Sequence, residues 1–198
     1  MTNNILSISA SVQGEQSLSR TLARELIDGL SEKSESCQIS ERNVSENDIA
    51  LVTAEHVAAF YTPADERSEE QNKLLSQSDA LVAELKSANT LVVATPMYNF
   101  GIPASLKAWV DMICRVGETF RYTENGPEGL LNIDTMYLVV ATGGARVGSS
   151  VDFVVPYMKQ IASFIGIKNV EVIAADATNA NRDAAIEKAK ARIAELVA

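Results

Sequence analysis

The stretch Thr90-Leu91-Val92-Val93-Ala94-Thr95-Pro96-Met97-Tyr98-Asn99-Phe100-Gly101-Ile102-Pro103 decides the fold. Its first five residues form an apolar, β-branched-rich run, followed by a proline-bounded loop and then a helical pattern. That order reads as a buried strand delivering a loop to its carboxyl end. In open α/β sheets, ligands bind at that edge. The loop carries Met97, Tyr98 and Phe100, three large groups that cannot all serve the core from there. A flat, largely apolar ligand such as an aromatic cofactor fits it. The competing reading is that the three fill a core beneath the loop, since large apolar residues are mostly buried.

Upstream, Ile5-Leu6-Ser7-Ile8-Ser9 is a short strand pattern, and a small, polar loop follows over 10–16. A helix opens near Ser17 to Ser19, with Leu18, Leu22, Leu26 and Leu30 at four-residue spacing. Residues 37–44 form a more polar strand pattern, expected at or near a sheet edge. Residues 48–67 are ambiguous: 54–60 could be a short helix, and Pro63 interrupts. Residues 68–87 read as an amphipathic helix, with Leu74, Leu75, Ser78, Leu81, Val82 and Leu85 on one face.

Downstream, Pro103 suits the first position of a helix whose stripe is Leu106, Trp109, Val110 and Ile113. Residues 117–134 read as a long connection, with turn chemistry at Asn125-Gly126-Pro127 and Gly129. Loops of that length are usually functional or interfacial. A fourth strand over 136–141 runs into Thr142-Gly143-Gly144-Ala145. A helix is expected over 151–165, a fifth strand over 170–175, and a closing helix over 181–197 with Ile186, Ala189, Ile193 and Val197 in phase. Five alternations of strand and helix imply an α/β fold, a parallel sheet with helices on both faces. Five strands favour the doubly wound order 2-1-3-4-5, whose switch point lies beside the first and third strands. With no internal repeat or linker in 198 residues, one domain over 1–198 is expected.

A net charge of −9 argues against a nucleic-acid or anionic-membrane partner. It leaves room for a phosphorylated ligand, because backbone N–H groups at a helix start hold phosphate without Lys or Arg. Cys37 and Cys114 are far apart with no CxxC spacing, so neither a disulfide nor a zinc site is expected. Met1-Thr2-Asn3-Asn4 opens no signal-peptide pattern. No apolar run approaches the ~20 residues that span a bilayer. The expected location is the cytoplasm.

Three loops should converge at the carboxyl edge of the sheet. The first brings Ser9, Ser11, Ser17 and Ser19 ahead of a helix start, where free N–H groups and the helix dipole suit a phosphate. Ser17 or Ser19 could equally serve only as a helix cap. In the second, Asn99 both donates and accepts, which suits the edge of a heteroaromatic ring. In the third, Gly143-Gly144 lets backbone approach a ligand closely, though a glycine pair alone also reads as a plain turn. Neither G-x-G-x-x-G nor G-x-x-x-x-G-K-[ST] is present. His56, the one histidine, sits on an apolar helical pattern without a G-x-S-x-G elbow, so a surface or structural role is favoured over catalysis. Cys114 reads as packing rather than nucleophile. Glu66, Glu69 and Glu70 read as a solvated helix start rather than a metal site. A chain poor in acid–base machinery but rich in cofactor-holding loops points to a cofactor that carries the chemistry.

Three motifs are long and specific: Ala94-Thr-Pro-Met-Tyr-Asn-Phe100, Ile102-Pro-Ala-Ser-Leu-Lys107 and Phe120-Arg-Tyr-Thr-Glu-Asn-Gly-Pro-Glu-Gly129. In them the chain resembles the FMN-dependent NADH-azoreductases, a family of flavodoxin-like quinone reductases. The similarity runs from the first strand to Phe164-Ile-Gly-Ile167 and weakens over 45–68. The resemblance implies a flavodoxin-like fold and tightly bound, non-covalent FMN. It assigns the phosphate to Ser11 and Ser17-Leu18-Ser19, and the isoalloxazine to Met97, Tyr98, Asn99 and Phe100 beside Ala141-Thr142-Gly143-Gly144. Relatives often carry Ser-Arg-Gly-Gly at the last site. Asn99, Tyr122 and Phe164 match positions lining the substrate pocket, and no side chain is required as a catalytic acid. The resemblance further implies a homodimer with an FMN site at each end of its interface, helped by the 117–134 connection. Its mechanism would be ping-pong, with NADH reducing FMN and a quinone or azo compound then taking the same place. An azo bond would need two such cycles.

Two other classes share parts of the pattern. A flavodoxin-type electron carrier has the fold and acidic charge but not the apolar Met97–Phe100 loop. A flavin-free α/β interaction protein would be colourless and fail to bind added FMN.

Overall fold

The computed structural model describes residues 2–46 and 49–198, so Met1, Asn47 and Asp48, the last of which opens the ambiguous 48–67 stretch, lie outside the described residues. Strand β1 (Asn3–Ser9) leads through a short turn into α1 (Leu18–Glu32), and β2 (Cys37–Asn43) follows. Two helices, α2 (Ala54–Tyr61) and α3 (Glu69–Ser87), precede β3 (Thr90–Pro96). Then come α4 (Ala104–Ile113), β4 (Phe120–Thr123), β5 (Gly126–Gly129), β6 (Thr135–Ala141), α5 (Val155–Ile165), β7 (Asn169–Ala175) and α6 (Arg182–Leu196).

Five strands form one parallel sheet in the order β2-β1-β3-β6-β7, which is 2-1-3-4-5 once the small β4–β5 hairpin is set aside. The central strand β3 is buried over 91–95, as its continuous apolar run requires when both faces are covered. Successive side chains alternate between faces. Val92 and Ala94 pack with Leu22, Leu26 and Ile193 of α1 and α6, whereas Leu91 and Val93 pack with Leu81, Leu106, Trp109 and Met158 of α3, α4 and α5. Helices therefore cover both faces.

Local chemistry sets the helix boundaries. Ser17 caps α1 and Asn181 caps α6, each side-chain oxygen accepting a backbone N–H. Ser68 and Gln71 form a reciprocal capping box on α3, and Thr53 and His56 form another on α2. Pro103 is the N-cap of α4 rather than its first helical residue. Helix α5 begins at Val155, four residues later than the apolar pattern predicts. Asp152 enforces this: its Oδ1 accepts the Val154 and Val155 N–H groups at 2.9 and 3.1 Å, and its Oδ2 accepts Gly148 N–H at 2.8 Å.

The expected 117–134 connection contains the antiparallel hairpin β4–β5, with Thr123 opposite Gly126. Its residues are mostly exposed on both faces, so they carry no apolar alternation for a period-2 search to find. Gly129 lies against α5's end, where a Cβ would stand 2.0 Å from the Gly166 nitrogen.

Candidate functional site

The loop after β3 is a tight, strained turn. Tyr98 and Gly101 exchange two backbone hydrogen bonds, each of 3.0 Å. Between them Asn99 and Phe100 both adopt left-handed backbone, with φ of 49° and 72°. Positive φ at both central positions is type I′ geometry, which glycine and asparagine accept readily and phenylalanine does not. Such strain costs on the order of 1 kcal/mol and persists at functional sites. Among the described residues, the N–H groups of Asn99 and Phe100 have no hydrogen-bond acceptor. The Phe100 ring is 54% exposed, which removes core filling as its explanation.

The Pro96–Ala141 register of the β3–β6 ladder aligns this turn with the loop after β6, and Met97 N–H extends it by donating to Ala141 O at 2.9 Å. Between the loops lies a cavity of about 410 Å³, lined by Met97, Asn99, Phe100, Thr142, Gly143, Gly144, Ala145 and Val151. Tyr98 lies on the opposite side of the turn. It lines a larger apolar groove of about 820 Å³ with Ile102, Pro103, Lys107, Phe153, Pro156 and Tyr157, and Asn99 reaches this groove as well as the cavity. Phe153 N–H donates to Phe100 O at 3.1 Å, fastening the turn to the segment before α5.

The serine loop follows β1, the strand next to β3, at the same edge. Ser11 is buried and its Oγ accepts Gln13 N–H at 3.3 Å. Ser17 accepts Arg20 N–H at 3.3 Å, and its Oγ lies 3.2 Å from that of buried Ser19. Ser17 is thus a cap, yet its hydroxyl and that of Ser19 stand at the first turn, where the N–H groups of Leu18 and Ser19 have no intrahelical acceptor. The dipole there favours an anion.

A family model described as flavodoxin-like fold matches residues 3–197. The FMN-dependent NADH:quinone oxidoreductase 1 of Hahella chejuensis is 46% identical over 190 residues, covering 96% of this chain and 93% of that protein. The chain belongs to the flavodoxin-like FMN-dependent NADH:quinone oxidoreductase family. The relative from Erythrobacter litoralis is 44% identical and covers 87% of this chain and 86% of its own length. Among solved structures, an FMN-dependent NADH-azoreductase from Bacillus anthracis in complex with FMN has a TM-score of 0.86. It is 26% identical, covering 98% of this chain and 97% of that one.

For this family the donor set fits FMN. The serine loop presents neutral donors and helix-start N–H groups to a phosphate, while the Asn99–Phe100 turn presents unpaired N–H groups to a ring edge. Among the described residues, no atom beyond its chain neighbours lies within 4 Å of where a Cβ on Gly144 would stand, so the strip beside it is open.

Two residues expected in the substrate pocket lie elsewhere within the chain. Phe164 packs on Phe120 with ring centroids 4.2 Å apart, and Phe120 meets Tyr122 edge-on at 5.5 Å. That aromatic cluster sits at the carboxyl end of α5, whereas Asn99 neighbours the amino end. The helix has 11 residues, or ~16 Å at 1.5 Å per residue. Sequence reading also missed Ala145, Val151 and Asp152. Only Asp152 had a usable signal, an acid three residues before the first helical position.

The remaining candidates are structural. His56 is buried in the α2 capping box, its Nδ1 accepting Thr53 N–H at 3.3 Å. Burial, with a smaller push from Asp111, raises the Cys114 thiol to about 12, which makes it inert as a nucleophile. Among the described residues, no helix is long and apolar enough to cross a membrane.

Proposed function

We propose that this chain is an FMN-dependent NADH:quinone oxidoreductase that also cleaves azo bonds, acting as one FMN-binding unit per chain within a homodimer. The strained Asn99–Phe100 turn carries the reading, its unpaired N–H groups lining a cavity against the Gly143–Gly144 strip. FMN, when bound, supplies a ring that takes a hydride from NADH and passes two electrons to a quinone, or four in two cycles to an azo compound. Ser11, Ser17 and Ser19 hold its phosphate with the Leu18 and Ser19 N–H groups. Met97, Asn99 and Phe100 hold the ring from one side and Thr142, Gly143 and Gly144 from the other, while Tyr98, expected with them, faces the groove across the turn. Backbone donors around the ring favour the electron-rich state. No side chain of the site is a required acid, because water can supply protons to the product.

The homodimer is supported by the distance between Asn99 and the Tyr122–Phe164 cluster, and by the apolar groove beyond Tyr98. A second copy seated on that groove would bring its own Tyr122 and Phe164 to Asn99, closing a slot for flat acceptors. Unpaired Cys37 and Cys114 support a reducing cytoplasm as the chain's location.

The test is anaerobic mixing of the FMN-loaded protein with NADH. Rapid bleaching of the bound flavin, followed by recolouring on adding a quinone or an azo dye, is expected. Bound flavin that NADH leaves coloured would make the protein an electron carrier.

A further inference from the structure

The loop that faces the Asn99–Phe100 turn is clamped from behind, and the clamp converges on one side chain. Thr142 is 4% exposed. Its hydroxyl donates to Ala145 O, closing a short turn, and accepts the Ala177 N–H at 3.0 Å. Its carbonyl accepts both the Thr178 N–H at 3.1 Å and the Thr178 hydroxyl at 3.0 Å. Next along, Gly143 O accepts Asn179 N–H at 2.9 Å. At the far end Val147 N–H donates to Asp176 Oδ2 at 2.9 Å. The loop over 142–147 is therefore tied at both ends to 176–179, the connection from β7 to α6.

Between those anchors the pattern reverses. Among the described residues, the N–H groups of Gly143, Gly144 and Ala145 have no acceptor, and all three residues line the cavity. A run of unpaired donors on a loop fixed at both ends is a preorganised electrostatic surface rather than a free turn. The cost of holding it shows at Ala177, a non-glycine residue with φ of 54° whose N–H is satisfied by Thr142.

We propose that Thr142 is a positioning residue that serves the flavin site through its hydroxyl, locking the 143–145 donors against the 177–179 loop. The inference rests on the FMN reading above. It adds that the β7–α6 loop, which does not line the cavity, sets the geometry of the ring-binding wall. The hydroxyl is the part that matters: valine has nearly the same shape but can neither donate to Ala145 nor accept from Ala177, whereas serine can do both.

The experiment compares wild type, Thr142→Val, Thr142→Ser and Thr178→Val. The readouts are FMN dissociation constant, midpoint potential of the bound flavin, and amide hydrogen exchange before FMN is added. Thr142→Val is expected to raise the FMN Kd about tenfold. It should also lower the potential by about 30 mV, if the lost donors favoured the reduced ring by a further factor of ten. Thr142→Ser should stay within about twofold of wild type. Thr178→Val, which cuts one strand of the clamp from outside the cavity, should weaken FMN by a smaller factor of about three. The Ala177 amide should exchange faster in Thr142→Val and not in Thr142→Ser.

A folded Thr142→Val with unchanged FMN affinity and potential overturns the proposal. So does a Thr178→Val with wild-type affinity where Thr142→Val fails to fold. Failure of the wild type to bind FMN would instead sink the functional reading, and the exchange rates would still decide whether the clamp exists.

Discussion

Asn99 and His56 illustrate how differently two polar residues can be used. Asn99 holds a left-handed turn and leaves its amide N–H unpaired at the cavity, so that donor goes unused until a ligand takes it. Asn99→Ala is expected to weaken FMN about tenfold, since alanine tolerates left-handed backbone less well and loses the amide's donor and acceptor. Fluorescence titration with FMN measures this. His56→Ala should leave FMN binding and turnover unchanged while lowering stability by about 1 kcal/mol, because it removes half of the α2 capping box. Loss of turnover in a folded His56→Ala would contradict the cofactor-only chemistry.

At the same scale, Arg115 went unsuspected. It is fully buried, with Nη1 donating to Ser78 Oγ at 2.5 Å and to Asp79 Oδ1 at 3.0 Å, and its guanidinium 4.5 Å from the Phe60 ring centroid. Ser78 sat on the apolar face of α3 in the sequence without a reason. The reason is tertiary: its hydroxyl donates to Met112 O at 2.6 Å while accepting from Arg115.

Among elements, the β4–β5 hairpin and α5 form one unit through the backbone contact of Gly129 with Gly166. Leu131 N–H donates to Ile165 O at 3.0 Å beside it. A methyl on Gly129 would overlap main chain that has no side-chain freedom to yield. Gly129→Ala is expected to cost about 3 kcal/mol, at the upper end of the range for overpacked sites. Because the hairpin carries Tyr122, the same substitution should raise KM for the acceptor in whatever protein folds, and leave FMN affinity near wild type. Chemical denaturation and steady-state kinetics separate the two effects. The parallel sheet and its flanking helices were readable from apolar period and caps, whereas this hairpin was not. Its strands are short, polar and open on both faces, so pairing and the glycine contact rather than patterning define it.

For the whole molecule, the decisive feature is that α5 separates the two halves of the expected acceptor site. If a second copy completes each site, two separately impaired variants should rescue each other. Mixing Asn99→Ala with the double variant Tyr122→Ala/Phe164→Ala, under conditions that allow subunit exchange, should restore partial activity. A heterodimer holds one site free of substitutions and one carrying all of them. No recovery from demonstrably exchanged subunits would mean that each chain builds its site alone.

The sequence by itself determined the sheet, its order and the convergence of three loops. Apolar period, helix caps and the placement of glycine and proline are local signals that the chain carries before it folds. It also singled out Met97, Asn99 and Phe100, which line the cavity beside the loop after β6. Tertiary structure alone decided what those loops do to one another. The fastening of the Asn99–Phe100 turn by Phe153, the Thr142 clamp onto 177–179, and the separation of Tyr122 and Phe164 from Asn99 all depend on contacts between segments distant in sequence. Such contacts leave no periodic trace. The Met97–Phe100 motif could be read from the order of residues, and the rigidity of the wall opposite it could not.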